Sequence, residues 1–324
     1  MRQPPPAHRS LAGTGSLAGT GSRIDGALAA IRSIGGLRRH EVSRYAVMLS
    51  FLPSPPANGF HIGPLFIHAY GLAYVVGVIA AIVITRRRWE ALGGKKELVY
   101  EIAMWGFPAG LVGGRIYFDI TTPSQMPQHW WGPFAIWDGG LGIWGGIALA
   151  AVVSIWRLRR RGVNVGMFMD AVAPALLVAQ AIGRIGNYFN QELFGLPTKL
   201  PWGLEISPAH RPPGYAAFAT FNPTFLYELI WDLLLAFALV QLGKRTKVKA
   251  PGLFALYVAG YSFARLGEEQ LRIDYSEYVL GMRLNFFVAL VLCITGLVWF
   301  VGIQRGWTLP RPRLRSRSRA TANQ

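Results

Sequence analysis

Arginine, asparagine and glutamate side chains interrupt the apolar stretches of this 324-residue chain at a few places. Arg184 and Asn187 lie in one such stretch, and Arg265, Glu269 and Arg272 lie near the end of another. The planar guanidinium group of arginine binds phosphate through paired hydrogen bonds, which makes arginine a preferred partner of phosphate in proteins. The three arginines therefore predict a site that suits the phosphate of a phospholipid headgroup.

The composition of the chain indicates that these charged residues belong to a membrane protein. Hydrophobic residues make up 52% of the chain and charged residues 15%, whereas soluble globular domains carry about 25% charged residues. This composition excludes an ordinary soluble enzyme, a disordered chain and a disulfide scaffold. The single cysteine, Cys293, excludes an internal disulfide. Ligand pairs with metal-binding spacing are absent from the sequence, so we expect no metal site.

Seven apolar stretches are long enough to cross the hydrocarbon core of a bilayer, which takes about 20 mostly apolar residues. The sixth stretch is the weakest, because Arg265, Glu268 and Glu269 crowd its end. We therefore predict an all-α integral membrane protein with seven transmembrane helices. The helices are expected at approximately residues 68–86, 98–118, 137–156, 166–188, 223–243, 251–267 and 282–303.

Lysine and arginine alternate between the two ends of these stretches. They crowd into residues 86–96, 157–161, 244–249 and 305–319 and are sparse in the connections between. Basic loops stay in the cytoplasm, so the N-terminus of the first helix is expected outside and the C-terminus inside. The basic residues form no stripe with interleaved aromatic residues, so no nucleic-acid partner is expected.

Under this topology the polar and ionisable residues within the spans converge on the outer half of the membrane. Such residues are costly in a bilayer and usually functional, so a polar cavity facing the outer leaflet is predicted. The residues concerned are Arg115, Asp119, Asp138, Arg184, Asn187, Glu228, Asp232, Arg265 and Glu269.

The two termini differ from the rest of the chain. Residues 1–47 are rich in Gly, Ala, Ser, Pro and Arg, and we predict a disordered extension, with Met48 as an alternative start. Residues 48–303 are predicted to form the seven-helix domain. Residues 304–324 are predicted to be a basic cytoplasmic tail that lies near anionic headgroups.

Several ordered segments resemble the prolipoprotein diacylglyceryl transferase family. The most specific is GRIGNYFNQELFG (183–195), and the resemblance covers approximately residues 48–303. The other segments, in the family's order, are HAYGLAY (68–74), GGRIYF (113–118), WDGGLGIWGG (137–146), NPTFLYE (222–228) and GYSFARLGEEQLR (260–272).

The resemblance implies an enzyme of the bacterial plasma (inner) membrane, with its active site toward the outer leaflet. It would transfer the sn-1,2-diacylglyceryl group from phosphatidylglycerol to the lipobox cysteine thiol of a preprolipoprotein signal peptide. The product would be a thioether, and sn-glycerol 1-phosphate would be released. This is the first step of bacterial lipoprotein maturation, and it needs no metal or other cofactor. A non-catalytic phospholipid-binding or transport protein is the alternative, because it would carry similar arginines.

The resemblance also implies roles for individual residues. Arg184 and Arg265 match arginines that engage the phosphate, and we assign Tyr70 and Asn187 to hydrogen bonding of the headgroup. Glu269 is expected to orient Arg265 or Arg272, since it lies within one helical turn of both. The remaining positions shared with the family's substrate site are Glu192, Gly195, Tyr261 and Arg272. Asp170 and Glu228 match further acidic positions of the family, for which a structural role is the alternative to a functional one.

The chain departs from the family pattern at two positions. Trp144 replaces a histidine that would serve as the base for the thiol, and Asn222 replaces a second histidine. Tryptophan cannot accept a proton at neutral pH. A thiol with a pKa of roughly 8.5 is already a few per cent ionised at pH 7, so the base is either dispensable, or Glu269, or a tyrosinate.

Overall fold

The computed structural model describes residues 51–126, 129–136 and 139–307, and these form seven long α-helices. The prediction of an all-α chain with seven long helices is confirmed, and each helix overlaps one predicted stretch. The helices are α1 (Ala69–Ala91), α2 (Lys96–Thr121), α3 (Ile143–Arg160), α4 (Val165–Asn190), α5 (Thr224–Arg245), α6 (Gly252–Leu271) and α7 (Leu284–Arg305). The predicted extension (1–47), Met48, Asp138 and the tail beyond residue 307 lie outside the described residues.

Four of the helices, α1, α4, α5 and α7, are long and apolar enough to cross a membrane by length and composition. Helix α2 carries five charged residues and α6 carries three, and α3 is the shortest of the seven. That all seven helices cross the membrane stays a prediction.

Short pairs of β-strands, which the sequence does not predict, accompany the helices. Each is antiparallel and two-stranded, and strands of two to four residues leave little pattern in a sequence. Their strands are β1 (Gly59–Ile62) with β2 (Leu65–His68), β3 (Leu204–Glu205) with β4 (Thr220–Phe221), and β5 (Tyr278–Val279) with β6 (Met282–Arg283).

Helix α4 is the centre of the bundle. It packs against α1, α5 and α6, while α2 pairs with α3, and α7 pairs with α6. Asn164 starts α4 by accepting a hydrogen bond from the Met167 backbone NH at 3.1 Å, which satisfies a free donor of the first turn. Gln191 ends the helix in the left-handed conformation, with φ of 52°.

The basic connections meet at one end of the bundle, which we call the basic end (residues 86–96, 157–161 and 244–249, with Arg305). Arg157 and Arg161 both pair there with Glu101 of α2. The Lys249 ammonium donates to the Gln304 carbonyl oxygen at 2.8 Å. The charge alternation in the sequence therefore corresponds to two distinct ends of the structure.

The opposite end, which we call the polar end, is covered by the segment between α4 and α5 (residues 191–223). This segment has its own apolar core, and its Leu196 backbone NH donates to the Leu271 carbonyl oxygen at 2.7 Å. The connection therefore ties the C-terminus of α4 to that of α6. Its core consists of Phe194, Leu204, Ile206 and Phe221, and Phe225 of α5 packs into the same cluster.

Glycines bring α2 and α3 into backbone contact. A Cβ on Gly145 would lie 2.2 Å from the Gly113 carbonyl oxygen, and a Cβ on Gly113 would lie 2.4 Å from the Gly145 carbonyl oxygen. The Gly142 NH donates to the Gly114 carbonyl oxygen at 2.8 Å. Small residues allow this close approach of two helix backbones.

Gly145→Ala tests this contact. The new methyl group would overlap backbone atoms that cannot move aside, so we expect a loss of about 1–3 kcal/mol of stability, measured by unfolding in detergent. Gly71→Ala in α1 is the control, since no atom lies within 4 Å of the added Cβ. Equal unfolding curves for wild type and Gly145→Ala would contradict the contact.

Candidate active site

Glu228 of α5 lies between two arginines from neighbouring helices. Its Oε1 pairs with Arg184 of α4, and its Oε2 accepts a hydrogen bond from Arg265 of α6 at 3.2 Å. The Tyr261 hydroxyl donates to Oε1 at 2.8 Å. The Glu228 side chain is 3% exposed, whereas those of Arg184 and Arg265 keep 18% and 14%. One buried carboxylate thus fixes two guanidinium groups, and both arginine side chains stay partly exposed.

The last turn of α4 supports Arg184. Its Nη1 donates to the Asn187 Oδ1 at 3.2 Å, because three residues place both side chains on one helix face. The Asn187 amide then donates to Glu192 at 2.8 Å, and Asn190 donates to the same Glu192 oxygen at 3.3 Å. The structure therefore brings Arg184, Asn187 and Glu192 into one hydrogen-bonded chain.

Arg265 makes two further pairs within its own helix. It donates to Glu268 at 2.9 Å and also pairs with Glu269, at spacings of three and four residues. The other oxygen of Glu269 accepts from the Arg283 Nε at 2.7 Å. Both oxygens of Glu269 are therefore engaged by arginines, as expected of a residue that orients a guanidinium group.

Arg272 lies at the end of α6, where it binds Asp274 through two hydrogen bonds of 2.7 and 2.8 Å. Its Nη1 is 3.7 Å from the Glu269 Oε1. Arg283, at the start of α7, donates to the second oxygen of Asp274 at 3.0 Å. These contacts link Arg272 to Arg265 through Glu269. The sequence analysis did not assign Glu268, Asp274 or Arg283, since their roles depend on contacts between segments.

Gly195 lies where the connection between α4 and α5 meets the end of α6. Its NH donates to the Asn222 carbonyl oxygen at 2.8 Å, and it forms a backbone bridge with Arg272. A Cβ there would lie 3.0 Å from the Leu271 carbonyl oxygen, which explains the glycine. Tyr70, in the first turn of α1, packs its ring on Gly186 of α4 and is 44% exposed.

Several sequence candidates serve structural roles. Arg115 donates to the carbonyl oxygens of five residues between 132 and 140 and so holds the connection from α2 to α3. Asp170 lies at the basic end, where it accepts a hydrogen bond from the Phe254 backbone NH at 2.9 Å. The Asn222 side-chain amide donates to the Leu196 carbonyl oxygen at 2.9 Å.

Trp144 does not lie among these polar groups. It is 46% exposed and lines an open apolar groove of about 310 Å³ on the surface of the bundle. Phe287 and Val291 of α7 line the same groove.

The fold and the site together define a class of protein. Its apolar helices carry an internal network of arginines and carboxylates at one end, and guanidinium groups in such a setting can bind an anionic headgroup. The class is thus a helical membrane protein with a network of arginines and carboxylates at its polar end.

Comparison with known proteins defines the family. The sequence model described as prolipoprotein diacylglyceryl transferase matches residues 58–302, and the chain belongs to this family. The chain is therefore a multi-pass membrane protein of a bacterial family.

Three relatives are named phosphatidylglycerol–prolipoprotein diacylglyceryl transferase. The protein from Cutibacterium acnes is 46% identical over 257 residues, which cover 78% of this chain and 87% of the relative. A second, numbered 2 in Streptomyces coelicolor, is 46% identical over 247 residues, 75% of this chain and 78% of the relative. The third, from Mycolicibacterium paratuberculosis, is 43% identical over 279 residues, 80% of this chain and 64% of a longer relative.

The contacts of Asp274 generate a prediction for the pH dependence of stability. Burial disfavours its carboxylate, but hydrogen bonds from Arg272 and the charges of Arg272 and Arg283 outweigh burial, so the pKa of Asp274 lies below its ordinary value of 3.8. A lowered pKa contributes stability that is complete above the ordinary value and is lost as the pH falls through the folded-state value. Asp274→Asn should therefore unfold at a lower temperature than wild type near neutral pH, and the difference should shrink below pH 3.8. A difference that is the same at both pH values would contradict this account.

Proposed function

We propose that this protein transfers the diacylglyceryl group of phosphatidylglycerol to the lipobox cysteine of a preprolipoprotein. The single observation that carries the proposal is the pair of arginines, Arg184 and Arg265, held on Glu228 at the polar end. The names of the relatives in the same family support the same reaction.

In the proposed reaction the cysteine sulfur attacks the carbon of the diacylglyceryl unit that bears the phosphate. The new bond is a carbon–sulfur thioether, and the bond between that carbon and the phosphate oxygen breaks. The thiol gives its proton to water, and sn-glycerol 1-phosphate leaves with more negative charge than the diester carried. Cations that are already in place where this charge develops lower the barrier. Arg184 and Arg265 are the groups we assign to this task.

The phosphate would take over some of the hydrogen bonds that the two arginines make with Glu228. Charge-assisted pairs to a phosphate oxygen are strong and bidentate, so the exchange keeps both guanidinium groups satisfied. Asn187 and Tyr261, which already touch Arg184 or Glu228, would then bind the headgroup oxygens. Tyr70 would contribute from α1, where its ring covers Gly186.

The remaining predicted residues contact the residues of this site and hold them in position. Glu192 holds Asn187, and Gly195 lets the connecting segment approach the end of α6. Glu269 and Arg272 belong to the network that fixes Arg265. Because both Glu269 oxygens are bound by arginines, the geometry favours a positioning role over that of the base.

A strong base is not essential in this proposal. Trp144 replaces the family histidine and cannot take the proton. The positive potential of the arginines raises the fraction of thiolate in the substrate above that of a free cysteine.

The topology follows from the two ends of the bundle. Cytoplasmic loops hold the excess of lysine and arginine, so we assign the basic end to the cytoplasm and the polar end to the outer leaflet of the bacterial inner membrane. All seven helices would then cross the bilayer, with the N-terminus of α1 outside.

Reconstitution with phosphatidylglycerol and a synthetic lipobox peptide tests the function. We expect the peptide to gain the mass of one diacylglyceryl unit as glycerol phosphate is released. Removing one preorganised donor costs about 100- to 1,000-fold in rate, so Arg184→Ala should lose at least that much. Arg184→Lys should recover only part of the loss, because lysine lacks the planar fork.

Arg159→Ala at the basic end is the matched control and should leave the rate unchanged. Folded wild-type protein that binds phosphatidylglycerol but never modifies the peptide would refute the transferase proposal. That result would support the alternative of a phospholipid-binding protein.

A further inference from the structure

A second layer of polar residues lies one turn deeper in the bundle than the arginine pair. We call it the lower layer: Gln180 of α4, Asp232 of α5 and Tyr257 of α6. Gln180 precedes Arg184 by four residues, and Asp232 follows Glu228 by four, while α4 and α5 run in opposite directions. Four residues advance a helix by about 6 Å, so both positions move away from the polar end by one turn.

The lower layer contains hydrogen-bond acceptors that the protein does not satisfy. Asp232 is 0% exposed, and neither of its carboxylate oxygens receives a hydrogen bond from the part of the chain that the structure describes. The Gln180 Oε1 is likewise buried, with no donor among the described residues. Glu228, by contrast, is equally buried but is bound by two arginines and a tyrosine.

Unpaired buried acceptors are rare and costly, so each one needs an explanation. Asp232 interacts with Glu228 and Arg184 above it, and Tyr257 interacts with both Asp232 and Gln180. A ligand that satisfies them has to bring hydroxyl or other donor groups while its anion remains on the arginines.

We propose that the lower layer binds the hydroxyl groups of the glycerol headgroup of phosphatidylglycerol. The inference rests on the proposed function, since it places the phosphate on Arg184 and Arg265. A glycerol unit carries two hydroxyl donors on a three-carbon chain, which reaches approximately one helical turn from its phosphate. Asp232 and Gln180 would accept from these hydroxyls. The headgroup would enter sideways past Arg184 and Arg265, whose side chains are partly exposed.

This assignment makes Asp232 a specificity-determining residue. A site built to hydrogen-bond a substrate hydroxyl strongly rejects an analogue that lacks it, because its polar groups are then left unpaired. Phosphatidylpropanol has the same chain length in its headgroup and no hydroxyl groups, so it is the discriminating probe.

The experiment compares kcat/KM for phosphatidylglycerol and phosphatidylpropanol in the reconstituted full-length protein. Wild type should prefer phosphatidylglycerol by at least about 100-fold. Asp232→Leu should reduce the preference to less than about 10-fold, mainly by losing rate with phosphatidylglycerol. Asp232→Asn and Gln180→Leu should give intermediate preferences, and they carry the test if Asp232→Leu does not fold. Asp170→Asn, a buried acid at the basic end, is the matched control and should keep the wild-type preference.

The outcomes separate this inference from the proposed function. If wild type transfers the lipid but Asp232→Leu and Asp232→Asn keep its full preference, the lower layer is satisfied by water and the inference is wrong. If wild type transfers nothing, the proposed function fails. In that case, equilibrium binding of the two lipids to wild type and the same variants tests the role of the lower layer. The ratio of the two affinities then replaces the ratio of the kcat/KM values.

Discussion

The buried carboxylate of Glu228 is the constraint on which the rest of the site depends. Two guanidinium groups from α4 and α6 converge on it, and removing such a partner leaves buried charges that cost several kcal/mol. The three helices are therefore held at one mutual position at the polar end. Glu269 and Arg283 extend the same alternation of charge to the start of α7. The ends of four helices thus form one electrostatic unit.

This arrangement suits the chemistry that we propose. Carboxylates hold the arginines close to one another before the substrate arrives. Once the phosphate has taken over part of their contacts, little further reorganisation is needed as charge develops on the leaving group. Because both arginine side chains are partly exposed, a phosphate can compete with Glu228 for them without unfolding the network.

Much of this organisation could be predicted from the sequence. Long apolar stretches and alternating basic loops predicted seven helices and the two ends, because both signals are local. The same reasoning placed Arg184, Asn187 and Arg265 in one site, and the structure brings them together.

The pairs of β-strands escaped prediction because their strands have two to four residues. Arg115 was assigned to the outer polar cavity, but it binds backbone carbonyls, which have no sequence signature. The unpaired state of Asp232 depends on three helices at once and cannot be predicted from any one of them.

The central claim is that Arg184 and Arg265 together bind the phosphate of phosphatidylglycerol. The most direct measurement is a structure of the protein determined in nanodiscs that contain this lipid. The account predicts a lipid phosphate within hydrogen-bond distance of both guanidinium groups, with at least one of them turned away from Glu228. A lipid phosphate bound elsewhere, with both arginines still closed on Glu228, would contradict it.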